Sequence, residues 1–173
     1  MAVLEILKYP DPRLRQVAKP LERVTEETRK LVESMAETMY AASGCGLAAN
    51  QVGIDARIFV IDTAAEGEPS DLRVFINPEI LSTEGVQTWE EGCLSFPGAT
   101  EEIRRAERVK VKALDQFGQP FELEATGLLA IAIQHENDHL NGVLMIDKLN
   151  ALRRRLVSRK VSRQLQEDTS SQS

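Results

Sequence analysis

The sequence predicts an α+β domain: antiparallel β-sheets around a central helix carrying a His-Glu-x-x-His motif, plus a C-terminal helix. Three observations lead there. Short Val, Ile and Phe runs bounded by polar turns fill the middle of the chain, an apolar segment feeds directly into both histidines, and an arginine-rich amphipathic stretch lies near the end.

After turn signals at Pro10 and Pro12, Thr25 to Ala42 reads as a helix. Thr25 is placed to cap it, Glu26 and Glu27 occupy its first turn, and Leu31, Met35, Met39 and Tyr40 form a side expected to pack on a sheet. Arg57 to Asp62 and Leu72 to Ile76 read as strands, and Arg108 to Leu114 alternates Val109, Val111 and Ala113 with charged residues. Phe117-Gly118 gives a turn into Phe121 to Ala125, so a hairpin is expected and the middle of the chain should be mainly antiparallel. Thr126 to Leu140 has no breaker beyond Gly127 and is stopped by Asn141-Gly142, which predicts a buried central helix. Ala151 to Leu165 sets Leu152, Leu156 and Val161 against Arg153, Arg154, Arg155, Arg159 and Lys160. Those arginines read as a solvated face, with ribosome docking as the alternative. The polar run from Gln164 to Ser173 is expected to fray, so residues 1–165 are taken as a single domain and 166–173 as a polar tail.

Composition narrows the function classes. With 27 acidic and 21 basic side chains the net charge is -6, which disfavours gripping nucleic-acid phosphates or anionic lipid; neither DNA nor a membrane is an expected partner. Two cysteines, Cys45 and Cys93, are too few for the disulfide framework of a small secreted domain. A reducing compartment follows, in which both thiols stay free for chemistry. Met1 to Tyr9 lacks a basic n-region and an apolar h-region. The longest apolar run, Gly127 to Ile133, falls far short of the about 20 residues needed to cross a bilayer.

The sharpest chemical signal is His135-Glu136-Asn137-Asp138-His139. Four residues of helix rotate about 400°, so both imidazoles face one side and can share a metal ion. Glu136 lies about 100° around from His135, an acid/base position within reach of a water beside the metal. The plain alternative is two surface histidines spaced by four. Against it, these are the only 2 histidines in the chain and they end its most apolar helix, where unpaired imidazoles would be costly to bury.

A catalytic site needs a third protein ligand. Cys93, in Glu90-Glu91-Gly92-Cys93-Leu94-Ser95, is the best donor: Gly92 allows a close backbone turn and a thiolate binds metal strongly. Read alone it would be a buried structural cysteine. Gly44 to Gln51, with two glycines and two alanines, permits close backbone approach to a ligand, although such residues usually serve a turn; alone they give Gln51 no catalytic role.

Together these segments resemble the peptide deformylase family, whose pattern is G-x-G-x-A-A-x-Q, then E-G-C-L-S, then H-E-x-D-H-x-x-G. Here it reads Gly44 to Gln51, Glu91 to Ser95 and His135 to Gly142, within a similarity running from about Ile6 to Leu149. The resemblance implies an α+β fold with the histidine-bearing helix among antiparallel strands, and hydrolysis of the formyl group from N-formylmethionyl nascent peptides. It implies Cys93, His135 and His139 as metal ligands, Glu136 as general acid/base, and Gln51 with the Leu94 backbone N–H as oxyanion donors. It implies one divalent ion, ferrous iron in the usual physiological case, with zinc, nickel or cobalt able to replace it. It places a methionine pocket beside Cys45, Trp89, Leu128, Ile131 and Ala132, with Gly46 and Glu91 giving backbone contacts to the peptide. Arg105 would pair with Glu91 and orient the Cys93 loop, or else be a plain surface arginine.

Two rival readings fit the histidine motif. A zinc peptidase shares the histidine motif but usually takes a downstream third ligand, whereas this chain offers the upstream Cys93. A catalytically silent metal-binding or ribosome-contacting relative would most simply have lost Glu136 or Gln51, and both are present. The Met1 start favours a bacterial cytoplasmic protein over a processed organellar one.

Overall fold

The computed structural model describes residues 2–171. A long sheet of order β1-β2-β3-β6-β7 is formed by Gly46–Ala48, Ile58–Ile61, Arg73–Glu84, Arg108–Leu114 and Pro120–Thr126. A separate two-stranded sheet pairs β4 (Gln87–Gly92) with β5 (Thr100–Arg105), and every ladder is antiparallel. The helices are α1 (Glu26–Ala41), α2 (Gly127–Leu140) and α3 (Ala151–Ser171). None of the described helices is long and apolar enough to cross a membrane.

Strand β2 explains the layering. Its four residues Ile58, Phe59, Val60 and Ile61 are all fully buried, because each face meets a different helix. Ile58 and Val60 pack with Val32, Met35 and Met39 of α1, while Phe59 and Ile61 pack with Ala130, Ala132 and Ile133 of α2. A strand covered on both sides reads as an unbroken apolar run, and β6, half-covered, shows the alternation seen at Val109, Val111 and Ala113. A third cluster joins Leu7, Leu14, Phe96, Ala99 and Ile103 to Val157 and Val161 of α3.

Local chemistry fixes the ends. Thr25 caps α1 reciprocally: its hydroxyl accepts from Thr28 N at 3.3 Å, and Thr28 Oγ1 accepts from Thr25 N at 3.1 Å. Asp115 Oδ1 accepts from Phe117 N at 2.9 Å and Gln119 N at 3.0 Å, closing the β6–β7 hairpin around Gly118. At the end of α2, Gly142 takes φ +71°, and a β-carbon there would collide with the Arg15 backbone carbonyl. Only glycine suits both demands.

The structure departs from the sequence reading in four places. Tyr40 lies off the packed face of α1, 44% exposed, with its hydroxyl donating to Asp62 Oδ2 at 2.6 Å. Strand β3 continues beyond Ile76 to Glu84, past Pro78, because the register shifts between Ile76 and Glu79 so that proline needs no ladder donor. Asn77 absorbs the irregularity at φ 51°, its side chain bonding both Leu21 N and Leu21 O. Strands β1, β4 and β5 had no apolar signature; in β5 the inward positions alternate as Glu101, Ile103 and Arg105, so charged side chains point inside. Finally, α3 extends past Leu165 to Ser171, into the segment expected to fray, with Gln164 donating to Asp168 and Thr169 to the Leu165 carbonyl; residues 172 and 173 of that segment lie outside the described residues.

Candidate metal centre

Three segments distant in sequence converge beneath β4. Helix α2 is packed tightly against the sheet, and its His135, Glu136 and His139 are 7%, 5% and 1% exposed. The four-residue spacing brings the two imidazole centroids to 5.0 Å. Cys93 follows Gly92 at the end of β4, where Phe96 N donating to Cys93 O at 2.9 Å bends the chain. Its Sγ lies 3.3 Å from His139 Nε2, and the donor atoms of Cys93, His135 and His139 all lie within 4.8 Å of one another. Donors sharing a four-coordinate ion of zinc size stand about 3.5 Å apart, so one thiol and two imidazoles here suit a single divalent ion.

The surroundings aim these donors. His135 Nδ1–H donates to Glu91 Oε1 at 2.8 Å, which leaves the Nε2 lone pair for the centre. Arg105, its side chain 3% exposed, clamps Glu91 through Nε–Oε2 at 2.6 Å and Nη2–Oε1 at 2.9 Å, and donates from Nη1 to Asp138 Oδ2 at 2.8 Å. Lys148 Nζ stands 3.4 Å from the same Asp138 oxygen. Arg105 is therefore a buried bidentate partner, not a surface arginine. Burial opposes ionisation of Glu91, but hydrogen bonds from His135 and Arg105 outweigh it and hold the carboxyl below its ordinary pKa. Burial likewise works against a charged His135, yet its contacts with Cys93 and Glu91 prevail and raise it well above the usual range. His139 is pushed well below it, by burial first and then by the charges of His135 and Arg105.

Glu136 faces a different environment. Burial raises its pKa to about 7 against the pull of His135 and Arg105, and no protein group bonds its buried Oε1 among the described residues. A carboxyl poised near neutrality can both accept and return a proton. Gly46 makes its position attainable: a β-carbon there would sit 2.5 Å from Glu136 Oε2. Gly46→Ala is expected to swing the carboxylate aside and lower kcat by about 10- to 100-fold while the fold persists, which formate-release kinetics beside a thermal melt would check.

Gln51 sits in a short 3-10 turn after β1 and is 1% exposed. Its Oε1 accepts from Ala48 N at 2.9 Å, so the amide cannot flip; Nε2 is turned to Ser95 Oγ at 3.1 Å and Cys93 Sγ at 3.6 Å. The Leu94 peptide follows directly in the turn. A cavity of about 450 Å³ opens over these groups, and Cys45, Gly46, Trp89, Glu91, Leu128, Ile131 and Ala132 all line it together with Gln51, Cys93, Leu94, His135 and Glu136. Trp89 and Leu128 stand at 42% and 37% exposure, and Ile131 and Ala132 are buried in the wall. The Glu91 carboxylate points away to His135 and Arg105, so only its backbone is left to meet a ligand. Three contacts escaped the sequence reading: Glu91 on His135, Asp138 on Arg105, and Ser95 on Gln51. Asp138 and Ser95 stood inside the quoted motifs, but no spacing rule assigns them a partner.

An imidazole pair on one helix, an upstream thiol and a carboxyl held beside them define the chain as a metal-site hydrolase of α+β type. Residues 3–155 match the family model for polypeptide deformylase, and the chain belongs to that family. It is 53% identical over 163 residues to the peptide deformylase of Alkalilimnicola ehrlichii, spanning 94% of this chain and 91% of that one. Against the peptide deformylase of Pseudomonas aeruginosa it is 51% identical over 165 residues, spanning 95% and 97%. Among solved structures, a peptide deformylase from Legionella pneumophila superposes with a TM-score of 0.93 at 47% identity, covering 97% of this chain and 98% of that one. One from Ehrlichia chaffeensis in complex with actinonin gives 0.89 at 39% identity, covering 95% and 98%.

Proposed function

We propose that this chain hydrolyses the N-terminal formyl group of formyl-methionyl nascent peptides, releasing formate. The carrying observation is the buried Glu136, one of whose oxygens has no hydrogen-bond partner among the described residues, beside the Cys93, His135 and His139 donor set. Cys93, His135 and His139 would hold one divalent ion, which when bound supplies Lewis-acid activation of water and of the formyl carbonyl. Glu136 accepts a proton from the attacking water and returns one to the departing amine nitrogen. The Gln51 amide and the Leu94 N–H donate to the formyl oxygen as negative charge develops on it. The methionine side chain enters the apolar part of the cavity beside Cys45, Trp89, Leu128, Ile131 and Ala132, and Gly46 and Glu91 offer backbone groups to the peptide.

A mixed thiolate and imidazole donor set accepts iron, zinc, nickel or cobalt, and ferrous iron is the ion of this reading. The setting is the bacterial cytoplasm, where formylated chains emerge. The exposed Arg155 and Arg159 of α3 are read first as a solvated face, with docking on the ribosome as the alternative. Formate release from formyl-Met-Ala-Ser by anaerobically prepared, iron-loaded protein tests the activity. Rapid release, with no cleavage of the unformylated peptide, is the expected result; no release from folded, loaded protein would overturn it.

A further inference from the structure

The segment Leu7 to Tyr9, outside all three motifs, touches both loops that carry the oxyanion donors. Leu7 N donates to the Gln51 carbonyl at 2.7 Å, Tyr9 N donates to the Ser95 carbonyl at 2.8 Å, and between them Lys8 Nζ donates to the Leu94 carbonyl at 3.2 Å. Apolar contacts support the same arrangement: Leu7 is 6% exposed in the cluster with Phe96 and Ala99, and the Tyr9 ring stacks on Phe96 at 5.0 Å and 20°. Gln51 and Leu94 come from segments with no strand pairing between them, since β1 belongs to the long sheet and β4 to the small one. Their relative placement therefore depends on what bridges the two loops.

We propose that Lys8 is a positioning residue for the oxyanion site: it anchors the Leu94–Ser95 peptide unit through the Leu94 carbonyl and so limits rotation of the Leu94 backbone that carries the donor N–H, while the flanking backbone bonds hold Gln51 in register with it. The ammonium group acts on a part-buried carbonyl, where a charge-assisted hydrogen bond is stronger than a neutral one. Lys8 is not among the residues lining the cavity, so its effect passes through the Leu94 backbone to the direction of the Leu94 N–H. This rests on the oxyanion role given to Leu94 and Gln51 above.

The test compares Lys8→Met, which keeps most of the stem, with Lys8→Arg, which restores a donor cation. The expected result for Lys8→Met is a kcat loss of about 10- to 100-fold on formyl-Met-Ala-Ser, with KM within about twofold and metal content and melting temperature unchanged. Lys8→Arg should recover most of the rate. In zinc-loaded, 15N-labelled protein the Leu94 and Ser95 amide resonances should shift in Lys8→Met and return in Lys8→Arg. An unchanged kcat, or a loss that follows melting temperature or metal content, would overturn the proposal. Should the unaltered protein release no formate, the deformylase reading falls by itself, and unmoved Leu94 and Ser95 resonances would still sink the anchoring role.

Discussion

Glu136→Gln is expected to lower kcat by about 10²- to 10⁴-fold, the range typical of losing a positioned general acid/base. The amide keeps the carboxylate's shape beside Gly46, so packing and metal content should change little. The pH dependence separates this from mere disturbance. Burial holds Glu136 at about 7, and a neighbouring cation favours the carboxylate, so the base is ionised above that region and protonated below it. The unaltered protein should therefore lose kcat/KM with falling pH along an acid limb lying at or below about 7. Glu136→Gln should lack that limb. Formate release measured across pH, with metal content on the same samples, decides it; a retained limb would assign the proton transfer elsewhere.

Arg105→Ala should be the most damaging single change to stability outside the apolar core. It would leave the buried Glu91 carboxylate with His135 as its remaining named partner and take from Asp138 its 2.8 Å donor. Removing one member of a buried ion pair costs roughly 3–5 kcal/mol. Arg105→Lys should rescue little, because one ammonium cannot reproduce a fork that serves Glu91 with two nitrogens and Asp138 with a third. Since Glu91 also orients His135, metal should be lost more readily. Thermal melts with and without a chelator, beside metal analysis, provide the measurement. Unchanged melting and metal content would show that the clamp contributes neither stability nor orientation.

What could be read from the sequence follows the kind of force involved. Helix α2 and the β6–β7 hairpin were legible because apolar periodicity and turn residues act locally. The candidate triad needed helical geometry for His135 and His139, and for Cys93 the donor chemistry of a thiol beside Gly92, which the resemblance then supported. Strands β4 and β5 were hidden because their inward positions include Glu91, Glu101 and Arg105, whose burial is compensated by partners far along the chain. Glu101 is paired with Arg153 of α3, a relation that no window of local sequence contains, whereas the Glu91–Arg105 pair was anticipated only through the family resemblance. The same holds for Lys8, which looks like any N-terminal lysine until the fold sets it against Leu94.

Trp89 is the only indole in the chain and stands at the rim of the cavity. Its fluorescence therefore comes from one known location, uncontaminated by the core. Red-shifted emission would mark a wet rim, and a blue shift on adding a peptide would mark drying of that rim. Entry and departure of a ligand can thus be followed in unlabelled protein, by light, at the mouth of the site.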